Sequence, residues 1–152
     1  QNISEKISPE IIEAVLDIAL EISQEGREGR RIGTGFIIGE ISELNKYIKQ
    51  LIINPFQNLN EKIKITDLSI KETIKEFSQL DGVFIIDTEG HIISAGTYLD
   101  INTSDLDFPS GFGTKPRSCA AITKETDAIA IVVSESGGKI RIMKDGRIAV
   151  KV

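Results

Sequence analysis

One cysteine, one histidine, one methionine and no tryptophan are what this 152-residue chain offers of the most reactive side chains. The lone Cys119 excludes an internal disulfide framework and a cysteine zinc cluster, and makes a reducing, cytoplasmic setting the simpler expectation. Between small apolar neighbours it reads as a packed thiol. His91 is the single histidine, so a histidine-rich metal site or a Ser–His–Asp scheme has nothing else to draw on. It follows Gly90 and reads as a solvated turn residue. Aromatic residues make up 5% of the chain, which leaves few platforms for stacking single-stranded bases. Acidic residues outnumber basic ones by 23 to 18, a net charge of −5. Nucleic acid is therefore not expected as the main partner, because phosphate neutralisation needs a basic face. No apolar run approaches the roughly 18 residues of a membrane span, and no basic-then-apolar signal pattern opens the chain, so no membrane is expected. An N-terminal Gln where Met would stand suggests a piece of a longer polypeptide or a processed start.

What is present is a 40% hydrophobic, 27% charged chain that fits one domain, residues 1–152. Ser8 and Pro9 predict a helix start, and Ile12, Val15, Leu16, Ala19, Leu20 and Ile22 recur at helical spacing up to Gly26. Ile32–Ile38 reads as a strand, and Glu40–Lys49 as a short helix or an irregular connection. Asn54-Pro55 forbids helix continuation. A second helix is predicted over Leu68–Gln79, capped by Asp67 or Thr66, with Lys71–Glu76 as a solvated face. Val83–Ile86 is a short apolar run expected of a strand covered on both faces, and His91–Ala95 is its hairpin partner. A polar loop leads through Gly111-Phe112-Gly113-Thr114 to a helix containing Cys119–Ile122. Three strands follow, Ala128–Val133, Lys139–Met143 and Arg147–Val152, the last two joined by Asp145-Gly146. The fold class is α/β (mixed α+β): a central, mixed, twisted sheet flanked by helices.

Three clusters carry chemistry. Asp81-Gly82 places a carboxylate at a strand end, with a Gly that admits a ligand to the backbone; a plain helix-to-strand turn needs the same residues. Gly113-Thr114-Lys115-Pro116-Arg117 at a helix start offers unsatisfied N–H groups, a hydroxyl and two cations for an anion such as a phosphate chain. It also reads as an ordinary loop-to-helix junction with solvated cations, and it is not a Walker A loop. Ser134-Glu135-Ser136 leaves the end of a buried strand, where ligands of mixed sheets are met and where any strand must also exit. Gly33-Thr34-Gly35 lacks the third Gly of a dinucleotide fingerprint.

In their order, these residues resemble the diadenylate cyclase domain from about Glu25 to Val150. The resemblance rests on Glu28–Thr34, Asn54-Pro55-Phe56, Leu80-Asp81-Gly82-Val83, Gly113–Arg117 and Thr126-Asp127-Ala128 through Val133-Ser134-Glu135. The family signatures, Asp-Gly-Ala and Gly-Thr before Arg-His-Arg, stand here as Asp81-Gly82-Val83 and Gly113-Thr114-Lys115-Pro116-Arg117. Lys for Arg keeps the charge but loses the bidentate fork, and Pro for His removes a side-chain donor and a backbone N–H. The resemblance implies the family's fold and condensation of two ATP to cyclic di-AMP and two pyrophosphates, one ATP on each of two facing protomers. It implies Asp81 as catalytic residue and, with Glu135, as ligand of Mg²⁺ or Mn²⁺. Gly82, Val83, Tyr98, Leu99, Gly113, Thr114, Lys115, Arg117, Ser134 and Glu135 are the implied nucleotide-binding residues, with Tyr98 and Leu99 at the adenine. It looks more like a soluble, fused cyclase domain than the membrane-attached type. Two other readings stay open: a catalytically weak module that binds ATP or cyclic di-AMP and regulates a fused domain, and a structural oligomerisation domain.

Overall fold

A computed structural model describes residues 6–152. Helix α1, Pro9–Glu25, starts as its sequence dictates: the Ser8 hydroxyl accepts from the Glu10 N–H, and Pro9 fills the first turn. Gly26 ends it at φ 62°. Strand β1, Thr34–Ile38, begins two residues later than the apolar pattern predicts. Helix α2, Ile41–Leu44, and a single 3₁₀ turn at Asn45–Tyr47 lead to strand β2, Ile48–Gln50. Asp67 caps a 3₁₀ turn at Leu68–Ile70, and helix α3 occupies only Lys71–Phe77 of the expected longer helix. Strands β3, Val83–Ile86, and β4, Ile92–Leu99, form the hairpin, with β4 running four residues past its expected end. Helix α4, Thr114–Glu125, and strands β5, Ile129–Val133, β6, Ile140–Lys144, and β7, Arg147–Lys151, complete the chain.

The seven strands form one mixed sheet in the order β2-β4-β3-β1-β5-β6-β7. Only β1 and β3 run parallel; every other pairing is antiparallel. The centre is buried on both faces, so β1, β3 and β5 are continuously apolar, whereas edge strand β7 is never fully buried. One core lies under α1 and α3, where Phe36 and Phe84 stack across β1 and β3 at 4.8 Å. The other lies under α4 and α2, lined by Ile37, Val83, Ala120, Ile122, Val132 and Met143. The fold is thus a sheet covered by helices on both faces, as the alternation of elements predicts.

Two expectations from local pattern are corrected. Lys71–Glu76 is not simply a solvated face, because Lys75 is 2% exposed. Its Nζ lies 2.8 Å from Glu21, 3.0 Å from Glu25 and 2.9 Å from Glu72, while Lys71 reaches Glu21 at 2.7 Å. These bonds tie α1 to α3 across the sheet face. His91 is not a free turn residue either: its Nδ1 lies 3.0 Å from the Asp87 carboxylate, which also accepts the Glu89 and His91 N–H groups.

Hydrogen bonds from Lys71 and Lys75 hold the Glu21 carboxyl at about 2, well below its ordinary 4.5. A carboxyl depressed on folding stabilises the protein fully above its unfolded value, and that contribution fades as pH drops from about 4.5 towards 2. Thermal melts of Glu21→Gln should therefore show a shallower acid loss of Tm than the parent. Lys75→Met should lower Tm by several degrees at pH 7, since it leaves Glu21, Glu25 and Glu72 facing one another.

Candidate functional site

Strand directions gather the chemically equipped residues at one end of the sheet. β3 is parallel to β1, so Asp81-Gly82 and Gly33 both precede their strands at the same end. β5 is antiparallel to β1, with Val133 opposite Thr34, and therefore delivers Ser134 and Glu135 there. β4 is antiparallel to β3, with Thr97 opposite Val83, and delivers Tyr98 and Leu99. The amino end of α4 lies across this end.

Two glycines make the arrangement possible. A Cβ on Gly35 would lie 3.1 Å from the Cys119 Sγ and 3.0 Å from the Val83 Cγ1, so bare backbone on β1 lets α4 seat closely. Burial of that thiol pushes it up to about 12, which keeps it neutral, as expected of a packed cysteine. Gly82 adopts φ +97° and packs its Cα against the β4 backbone; a Cβ there would lie 2.5 Å from the Thr97 carbonyl. The facing segment of β4 is irregular, with register shifts along its pairing to β3. Gln50 and Asn54 satisfy it from the side. The Gln50 amide donates to the carbonyls of Ala95 and Gly96 and accepts from the Thr97 hydroxyl, while Asn54 donates to Ile93 and accepts from Ala95. Asn54-Pro55-Phe56 is thus an anchor for the strand that carries Tyr98.

Two neighbouring depressions open at this end. The first, of about 360 Å³, is bounded by Asp81, Gly82, Val83, Thr97, Tyr98, Leu99, Thr114, Lys115 and Ser118. The second, of about 320 Å³, is bounded by Gly33, Gly113, Thr114, Lys115, Pro116, Val132, Val133, Ser134, Glu135 and Ser136. Thr114 and Lys115 belong to both and form the shared rim. The structure therefore brings together Asp81, Gly82, Val83, Tyr98, Leu99, Gly113, Thr114, Lys115, Ser134 and Glu135. Arg117 borders neither depression. Asp81 and Glu135 share the sheet end but border different depressions. Motif reading does not single out Thr97 and Ser118, whose only signal is adjacency in sequence to named residues, while Gly33 enters it only in the Glu28–Thr34 stretch and as part of an incomplete dinucleotide fingerprint.

The first depression is mostly apolar, with the exposed Asp81 carboxylate at its margin; the second is mixed and more polar, with Thr114, Lys115, Ser134, Glu135 and Ser136 beside Pro116, Val132 and Val133. Gly113 caps α4 without a side-chain hydrogen bond, leaving the Thr114 and Lys115 N–H groups to meet an anion. Pro116, third in the helix, contributes none. The Lys115 Nζ donates to the Gly33 carbonyl at 3.3 Å. Carboxylate oxygens from Asp81 and Glu135 are hard donors suited to Mg²⁺ or Mn²⁺. Among the described residues, the one cluster of three metal-capable side chains is Asp87, Glu89 and His91, at the opposite end of β3 from Asp81. Replacing Gly82 by Ala should destabilise the fold by about 1–3 kcal/mol, read from urea midpoints at unchanged m-value, because both φ and the Thr97 contact exclude a Cβ.

Comparison with known proteins meets this geometry. A family model described as the DisA bacterial checkpoint controller nucleotide-binding domain matches residues 21–148. A diadenylate cyclase of Methanocaldococcus jannaschii is 44% identical over 137 residues, covering 90% of this chain and 43% of the relative. One from Haloferax volcanii is 34% identical over 147 residues, covering 97% and 54%. The chain thus spans about half the length of the relatives it matches. DacA from Staphylococcus aureus superposes with a TM-score of 0.57 at 22% identity, over 93% of this chain and 85% of that one. A Bacillus cereus protein described as a hypothetical membrane spanning protein does so at 0.64 and 19% identity, over 93% and 61%. These two likenesses speak to the fold. Among the described residues of this chain, no helix is long and apolar enough to cross a membrane. With a family model matched over residues 21–148 and relatives at 34–44% identity across most of its length, the chain belongs to the diadenylate cyclase nucleotide-binding family.

Proposed function

We propose that this domain condenses two molecules of ATP into cyclic di-AMP and two pyrophosphates, each protomer of a facing pair holding one ATP. The observation that carries the reading is the pair of depressions sharing the Thr114–Lys115 rim, one mostly apolar with a carboxylate at its margin and one of mixed, more polar lining at a helix amino end. Adenine and ribose suit the apolar depression, between Val83, Leu99 and the half-exposed Tyr98. The polyphosphate suits the other, against Gly113, the first N–H groups of α4, Lys115 and the Ser134 segment. The α-phosphate then falls at the shared rim, near the carboxylate that must act on the ribose.

In this reading Asp81 accepts the proton of the 3′-hydroxyl as that oxygen attacks the α-phosphorus of the nucleotide on the partner. The bond between that phosphorus and the bridging oxygen of pyrophosphate breaks, and the same exchange in the reverse sense closes the ring. Asp81 has no hydrogen-bond partner among the described residues, so its carboxylate is open both to this proton and to a cation. A metal requirement goes with the family, and Asp81 and Glu135 are the residues that would hold Mg²⁺ or Mn²⁺. The ion, when bound, neutralises charge developing on the phosphates. Thr114 and Lys115 orient the α-phosphate, and Gly82 brings backbone close to the ribose. Because nucleophile and electrophile lie on different protomers, a lone protomer completes no turnover.

Purified protein with ATP and Mn²⁺ should yield cyclic di-AMP, with specific activity rising as protein concentration is raised. Asp81→Asn should lower the rate about 100-fold or more at unchanged Tm. Nucleotide-dependent stabilisation without turnover would instead identify a binding module, the role that the missing N–H at Pro116 favours. Neither product nor stabilisation by ATP would reject both.

A further inference from the structure

Arg141 lies on β6, directly across from Val132 of β5, and both side chains emerge on the α4 face of the sheet. Val132 borders the polar depression. The Arg141 guanidinium stacks on the Phe112 ring at 4.9 Å, and Phe112 is braced edge-on by Phe108 at 5.0 Å. The residue after Phe112 is Gly113, which borders the same depression. The cation is therefore held next to residues that line the more polar depression, without itself lining it, by aromatic packing from one side and a strand from the other.

Its hydrogen bonding is unusual for a half-buried arginine. No carboxylate or carbonyl among the described residues takes any of its N–H donors, and its Nε is enclosed without a partner. Burial of an unsatisfied guanidinium nitrogen is unfavourable, and cations in such positions ordinarily carry a carboxylate. Lys75, buried on α3, has three, and Arg27, whose Nε likewise makes no hydrogen bond, still faces Glu25 at 3.8 Å and Glu76 at 3.5 Å. A planar fork fixed on an aromatic face and lacking an acidic partner suits a phosphate, which it grips through two parallel N–H···O bonds. The neighbouring Lys115 is engaged with the Gly33 carbonyl and is a point charge rather than a fork.

Resting on the nucleotide reading above, we propose that Arg141 is a further binding residue of this site, gripping the terminal phosphates of the triphosphate, those that leave as pyrophosphate. It does not touch the adenosine monophosphate portion that is kept in the product. Substrate and product affinities therefore separate at this residue. Binding of ATP, AMP and cyclic di-AMP to the intact protein, measured by calorimetry with Mg²⁺, tests it. Arg141→Met, which keeps an apolar contact with Phe112, should weaken ATP roughly tenfold or more and leave AMP and cyclic di-AMP within twofold. Arg141→Lys should fall between the two for ATP, and it carries the test alone if the Met variant does not fold. Equal weakening of ATP and AMP would mean that Arg141 only braces the Phe112 loop, and unchanged ATP affinity would mean no contact at all; either overturns the proposal while leaving the nucleotide reading intact. Parent protein that binds none of the three nucleotides would overturn both.

Discussion

The sulfur of Cys119 occupies the space where a side chain on Gly35 would project, and this contact sets how deeply α4 sits on the sheet. Around it the helix presents Ala120, Ala121 and Ile122 to the core, small residues that keep its axis close to β1 and β5. That seating places Thr114 and Lys115 level with the strand ends, where they reach both depressions at once. A bulkier residue at Gly35 would lift the helix, separate the depressions and withdraw the helix amino end from the groups it serves. The thiol takes part through its volume, not its reactivity, since burial keeps it protonated.

Charge is divided in the same structural terms. The chain is acidic overall, yet its cations differ in the partners they meet. Lys75 is enclosed by Glu21, Glu25 and Glu72, so its charge is spent within the protein on fixing α1 against α3. Lys115 meets only a carbonyl, and Arg141 meets only a ring. Lys115 and Arg141, neither paired with a carboxylate among the described residues, place positive charge beside the more polar depression, where it would attract an anionic ligand whatever the net charge. Net charge alone argues about steering over the whole surface and is silent about such a local site.

What could be read from sequence is what short-range physics controls. Ser8-Pro9, Asp67 and Asp145-Gly146 specify helix starts and a tight turn through bonds to nearby backbone, and each is found where its chemistry puts it. Asp81-Gly82 and Ser134-Glu135 were legible as strand-end residues because continuous apolar runs follow one and precede the other. What was hidden depends on partners far along the chain. Lys75 looked solvated because its acidic partners on α1 lie 50 or more positions away. β4 looked shorter because Gly96 interrupts its pattern, and the side chains that satisfy its backbone, Gln50 and Asn54, come from a strand too short to show periodicity and from the turn after it. Arg141 sits in an unremarkable alternating strand, and its relation to Phe112 exists only once the loop before α4 is folded back.

The two depressions differ in a way that bears on how a nucleotide is oriented. Val83 and Leu99 line the first from the core side, so that depression is an extension of the hydrophobic interior with Asp81 at its margin. The second is walled by a helix amino end and a strand exit, where Thr114, Lys115, Ser134, Glu135 and Ser136 add polar groups beside Pro116, Val132 and Val133. A molecule with one flat apolar end and one highly charged end fits the pair in a single sense, because the reverse would bury phosphate against aliphatic carbon. Pro116 sharpens the dependence on side chains: with a donor missing from the first turn of α4, the anionic end relies more on Lys115 and its neighbours than on the helix itself. Orientation of such a molecule is therefore decided by exclusion from the apolar side and attraction on the polar side together, and the junction between its two ends would lie beside Thr114 and Lys115, the rim that both depressions share.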